Sequence, residues 1–220
     1  MISLLSDFIT VLLVLLGWLL GLLTAPIVER IRQHYRRRDV MRAITDELLG
    51  LRHTMAAASW RFYARRGDLS DAFIDKCLDI VDSYSGPDRN NHLGETIRNL
   101  RAVSATKRKE ACLYLNKPGR GISVREYTPP LFATMFSDLV ICPLSFQRDV
   151  LHVRHHLDIY NQKARELRAM HDKTFSELSD VNRAIIEENL EEGYQFLGER
   201  ADIVVDAVTR ICEANLIRGA

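Results

Sequence analysis

"FITVLLVLLGWLLGLLTAPIVERIRQHYRRR", residues 8–38, passes from an unbroken apolar run into a cluster of arginines. Between Phe8 and Ala25 no side chain carries a charge. A bilayer core needs about 20 apolar residues as helix and accepts about 17 at the short end. Leu4 and Leu5 extend the run past Asp7, which then falls near the headgroups. At roughly −0.4 kcal/mol for each large apolar residue near the helix centre, insertion is favoured by several kcal/mol. A buried core helix rarely lacks a polar face for this long. The expectation is an all-α protein that begins with a single transmembrane helix, residues 1–25.

A cleavable secretory leader opens with positive charge and ends at a small-x-small site. Here the opening MISLLSD holds no Lys or Arg, and its one charged side chain is acidic. Arg30, Arg32, Arg36, Arg37 and Arg38 lie on the other side of the run. Arginines next to a span stay in the cytoplasm, so the short N-terminus is expected outside and the long remainder inside. This is the layout of a single-pass protein of the inner (cytoplasmic) membrane. Residues 26–38 form a basic juxtamembrane segment, suited to anionic membrane lipid at about 1 kcal/mol per basic residue. Pro26 is expected to kink the chain or to open a new helix at the exit. Gly17 and Gly21 make a GxxxG pair, which lets a second helix approach closely in lipid.

Charge is unevenly spread behind the anchor. Residues 28–66 carry 10 basic and 4 acidic side chains, whereas residues 126–220 carry 10 basic and 16 acidic. A basic near part and an acidic far part suit a domain held close to anionic lipid. A nucleic-acid protein would show a larger basic stripe, so no nucleic-acid partner is expected. The "KRK" at 107–109 and Arg65–Arg66 read as solvated helix faces. Cys77, Cys112, Cys142 and Cys212 are widely spaced and never form CxxC. In a cytosolic domain they are expected to be reduced, mostly buried and not a zinc site.

Helical periodicity runs through almost the whole soluble part. Val40 or Met41, then Ile44, Leu48, Leu51, Met55, Ala58 and Phe62 recur at three- and four-residue steps, with Gly67 as the stop. "DLSDAF" offers Asp and Ser caps for a short helix carrying Phe73, Cys77, Ile80 and Val81. Gly86–Pro87 centres a turn, and one further helix is expected from Leu93 to about Leu115. "NKPGRGISVREYTPP" is the longest break and divides a membrane-proximal region, 39–125, from a C-terminal region, 126–220. A β-hairpin pairing "CLYL" with "ISVREY" is the alternative there. The apolar stretch "LFATMFSDLVIC" is expected as a short buried helix in which Asp138 needs a partner, with a partner-binding or membrane-dipping element as the alternative.

The C-terminal region has the most regular pattern. Phe146, Val150, Val153, Leu157, Tyr160, Ala164 and Leu167 follow alternating four-three steps. Leu190, Tyr194, Leu197, Ala201, Val204, Val208 and Ile211 repeat it after a break. Such a period reads as coiled-coil-like packing, most simply a long antiparallel helix hairpin within a cytosolic bundle, with pairing between subunits as the alternative. Gly193 inside the second helix reads as a bend costing about 1 kcal/mol relative to alanine.

One cluster could do chemistry: "DVLHVRHHLD", with Asp149, His152, His155, His156 and Asp158. On a helix His152 shares a face with His155 and His156, which is ligand spacing, and His171–Asp172 follows. A His, His-Asp, Asp set in an all-α chain resembles, in residue type, the HD-type phosphohydrolases, which implies a metal-dependent hydrolase as a remote alternative. As side chains flanking the seam, the three histidines read as surface or packing residues, with a regulatory, pH-sensitive cluster second. No HExxH or GxSxG occurs, and the glycines at 119 and 121 lack the ending of a phosphate loop. Neither an enzyme nor a cofactor is expected. Two readings remain: a membrane-anchored module acting through a protein partner, and a homo-oligomeric effector or sensor that perturbs the bilayer.

Overall fold

The computed structural model describes residues 2–86, 91–115, 122–130, 134, 137–174 and 179–219. Among them every regular element is helical, and no strand occurs. The order is α1 (Ile2–Arg66), α2 (Asp71–Ser83), α3 (Asn91–Arg101), α4 (Ala105–Leu115), a 3-10 turn (Asp138–Ile141), α5 (Leu144–Lys173) and α6 (Asp180–Gly219).

Helix α1 is the finding that shapes everything else. It runs 65 residues with Pro26 in its interior, so the proline neither ends it nor starts a second helix. At 1.5 Å per residue it is about 97 Å long. An interior proline forfeits one backbone hydrogen bond. The apolar segment is long and apolar enough to cross a membrane. Every described side chain from Val11 to Asp39 is exposed, and Val40 is the first that is buried. One helix is therefore an exposed apolar arm, then an exposed basic stalk, then a buried strut. It ends at Gly67, whose φ of +68° is a left-handed value that glycine adopts without strain. Gly67 N–H donates to the Ala64 carbonyl and Asp68 N–H to that of Tyr63, both at 3.1 Å. These two bonds are a Schellman cap.

The strut packs with α5 and α6 around one core. All seven seam residues expected on α1, and all fourteen expected on α5 and α6, are buried there. Arg65 pairs with Glu191 while Ser59 donates to the Gly198 carbonyl at 3.3 Å, so α1 and α6 run in opposite directions. Asp138, just ahead of α5, meets Arg36, and the Arg61 charge reaches Tyr160, so α5 runs with α1. Gly193 lies where α6 passes close to α5: a methyl group added there would sit 2.2 Å from Leu167 Cδ2. Its role is close approach, not a bend. Gly198 does the same against α1, its added Cβ falling 3.1 Å from Phe62 Cβ.

A second core, built from Trp60, Leu69, Ile74, Cys77, Val81, Ile97 and Cys112, joins α2, α3 and α4 to α1. Ser70 caps α2, its Oγ accepting from Phe73 N–H at 3.2 Å. The single helix expected over 93–115 is two. Arg108 N–H donates to the Ser104 carbonyl at 2.9 Å, which makes Ser104 the first cap of α4. Arg108 is also no solvated residue: its side chain is buried. The guanidinium donates to the carbonyls of Leu69, Leu100 and Val103 and pairs with Asp71 at 2.8 Å. Arg65 likewise departs from the solvated expectation, since Glu191 binds it and the Tyr194 ring lies 5.2 Å beneath it.

No hairpin forms at "CLYL", because those residues finish α4. Of "LFATMFSDLVIC", residues 131–133, 135 and 136 lie outside the described residues, as does Pro87 of the expected turn. The end of the stretch is the 3-10 turn, in which Leu139 and Cys142 are buried and Val140 is exposed. All four cysteines are free and buried, and burial pushes the Cys77 thiol up to about 12.

Candidate functional site

The five arginines of the stalk are all exposed, and four of them stand clear of any ion pair among those described. Arg36 is the exception, 2.7 Å from Asp138, the acid for which the sequence demanded a partner. Gly17 and Gly21 face open space: a Cβ added at either meets nothing within 4 Å. Thr24, Val28, Ile31 and Tyr35 continue the same four-three count along the exposed stalk. Any closer packing of that face needs a second helix.

His152, His155 and His156 sit together on α5, and His156 meets α6. His152 and His155 are exposed and His156 is half-buried. The rings of His152 and His156 meet edge to face at 4.4 Å, and His155 lies 5.4 Å from His156. Arg200 of α6 places Nη1 2.8 Å from His156 Nδ1. A guanidinium can only donate, so Nδ1 is the acceptor and the ring proton sits on Nε2. Burial first, then the charges of His152, Arg200, His155 and Arg210, hold His156 below the usual imidazole range. That arrangement keeps His156 neutral and occupies one of its two ring nitrogens.

His152 and His171 are 19 residues apart on one straight helix. The separation is about 28 Å. The His and His-Asp of the HD-like set therefore cannot reach one ion. No group of three His, Cys, Asp or Glu among the described residues is placed to hold a metal. Asp149 and Asp158 are exposed, and Asp158 lies 3.8 Å from Arg154 on its own helix.

Periodicity does not reveal the polar seams that tie the elements together. Residues 122–129 run extended along α5, with Ile122, Val124 and Tyr127 packed on the main core. Asn161 holds this segment as a neighbouring strand would. Its Nδ2 donates to the Tyr127 carbonyl at 2.8 Å, and its Oδ1 accepts from Tyr127 N–H at 2.9 Å. Arg165 and Arg168 grip Glu126 at 2.6 and 3.6 Å. Between the segment and α5 opens a cleft of about 540 Å³, lined by charged groups including Glu126, Arg154, His155 and Asp158. On the other side Lys76 of α2 sits between Asp202 and Asp206 of α6, at 2.7 and 2.6 Å. Burial pulls its ammonium down, but the two carboxylates outweigh that and raise it. The main core thus draws on both sides of the break at 116–130.

The chain matches no family model, no curated protein and no solved structure.

Proposed function

We propose that this protein is a membrane-anchored helical module that acts by binding another protein, as a regulator, adaptor or complex subunit. In this reading α1 crosses a cytoplasmic membrane with its N-terminus outside. The helices behind it form a cytosolic bundle in which α5 and α6 make an antiparallel hairpin. The observation that carries the reading is the continuity of α1: one unbroken helix is both the apolar arm and a strut of the main core. An element shared in this way fixes the folded part at the membrane, with its polar faces and the cleft beside α5 presented to partners.

A crosslinked pull-down of the full-length chain from its own membranes, weighed for stoichiometry, tests the proposal. A different protein in fixed ratio supports it; recovery of the chain alone, or of copies only, overturns it. Single cysteines replacing Ser3 and Ala220 should label from opposite sides of the membrane.

The open face at Gly17 and Gly21 favours a second reading, a homo-oligomeric effector or sensor. Changing both glycines to isoleucine separates the two. An effector loses assembly and its effect on the bilayer, whereas an adaptor keeps its partner.

A further inference from the structure

Because α1 carries the apolar arm and the main core on one axis, one end of that core faces the membrane. Among the described residues the 3-10 turn Asp138–Ile141 and the first turn of α5 lie at this end, beside the C-terminal turns of α6. Leu139 and Cys142 turn inward and are buried. Val140, Ile141 and Leu144 turn outward, with Val140 75% and Leu144 62% exposed. The polar groups of this tip are occupied. Gln147 Nε2 donates to the Cys142 carbonyl at 2.8 Å and the Val140 carbonyl at 3.3 Å, and Arg36 neutralises Asp138. Arg37 and Arg38 follow at the same level of α1, both exposed, and the Arg37 charge reaches Cys142.

Exposed apolar side chains beside a row of cations match an anionic bilayer surface, where apolar groups enter between headgroups and cations meet phosphates. The distances fit. Arg36 lies ten residues beyond Pro26. That is about 15 Å along the axis. The headgroup layer fills roughly 5–7 Å of it, which leaves about 8–10 Å between the headgroups and Arg36. A helix tilt of about 20°, the average for membrane helices, lowers one side of the core further. We propose that this tip docks on the leaflet that α1 leaves, with Val140, Ile141 and Leu144 among anionic headgroups. The inference rests on the membrane-anchored reading above and adds a second, peripheral contact to it.

The test uses full-length protein in vesicles of phosphatidylcholine, with or without phosphatidylserine. An environment-sensitive fluorophore is attached at Val140→Cys or, at the far end, at Glu187→Cys. The native cysteines are buried, so labelling falls on the new thiol. A quencher carried by the lipid should quench the label at 140 severalfold more than the label at 187, and more strongly with phosphatidylserine present. Equal quenching at the two positions, or no response to phosphatidylserine, overturns the proposal. So does a blue-shifted label at 140 that the lipid quencher cannot reach, which places a protein on the tip instead. Release of the protein itself by alkaline extraction would overturn the anchored reading, which separates the two failures.

Discussion

Replacing Gly193 by alanine is the sharpest probe of how α5 and α6 meet. The new methyl group would lie 2.2 Å from Leu167 Cδ2 and 2.9 Å from its Cγ and Cδ1. Leu167 is itself buried, so it cannot swing into solvent and the helices must separate or the side chain leave its rotamer. Overpacking of this kind costs about 1–3 kcal/mol. Alanine returns up to about 1 kcal/mol through its greater helix propensity. The net expectation is a loss of roughly 1–2 kcal/mol, and at about 2–4 °C per kcal/mol for a chain of this size Tm falls by several degrees. The assay is thermal unfolding of the full-length protein in mild detergent, followed by circular dichroism. Gly50→Ala is the control, because its added Cβ meets only Tyr84 Oη, at 3.4 Å. There propensity should act alone, raising stability by up to about 1 kcal/mol. Leu167→Ala should cost about 2–5 kcal/mol by itself. Combined with Gly193→Ala it should cost less than the sum, since the methyl group enters the vacated space. If Gly193→Ala instead stabilises as Gly50→Ala does, the close approach is wrong.

Arg108→Met should cost about 3 kcal/mol or more, since buried carbonyls of Leu69, Leu100 and Val103 lose a charged donor. Lysine at 108 should restore only part, lacking the forked donors; equal stability of all three proteins in a urea titration would show the contacts to be idle. Asn161→Ala should free the extended segment at a cost of about 1–3 kcal/mol, and trypsin should then cut after Arg125 severalfold faster. An unchanged digestion rate would contradict the clamp. His156 is held below its ordinary pKa of 6.5 in the folded protein. The unfolded chain therefore binds the proton first, and this group's share of stability is present above pH 6.5 and lost as pH falls below it. Arg200→Gln should raise the His156 pKa in an NMR titration and weaken that acid sensitivity; a further drop in pKa would refute the assigned contact.

The apolar architecture was legible because it is one-dimensional. The four-three steps from Val40 to Phe62, Phe146 to Leu167 and Leu190 to Ile211 name residues that are all buried. Burial of a helix face needs no knowledge of what covers it. Polar pairing does need that knowledge. Arg108 looked like one member of a solvated basic triplet, yet it reaches carbonyls supplied by α3 and by the loop before α2. Asn161 is one polar residue beside a seam until the Tyr127 backbone, 34 residues earlier, is laid against it. Gly193 reads as a weak point in a helix because propensity counts only its own backbone, while Leu167 arrives from another helix. At Pro26 the local rule predicts a kink or a new start, but α1 runs straight on through it as one helix. In the histidine cluster the residue types offered metal only as a remote alternative, and helix rise alone keeps His152 and His171 apart.

The continuity of α1 also makes the stalk a torsion shaft. With no loop between the apolar arm and Val40, adding one residue among 29–35 would turn everything behind it by about 100° and push it away by about 1.5 Å. Adding seven would return the phase to within about 20° while lengthening the shaft by about 10 Å. Whatever the folded part meets, it meets at an angle to the apolar arm set by the number of residues between Pro26 and Val40, so that count is itself a structural parameter of the protein.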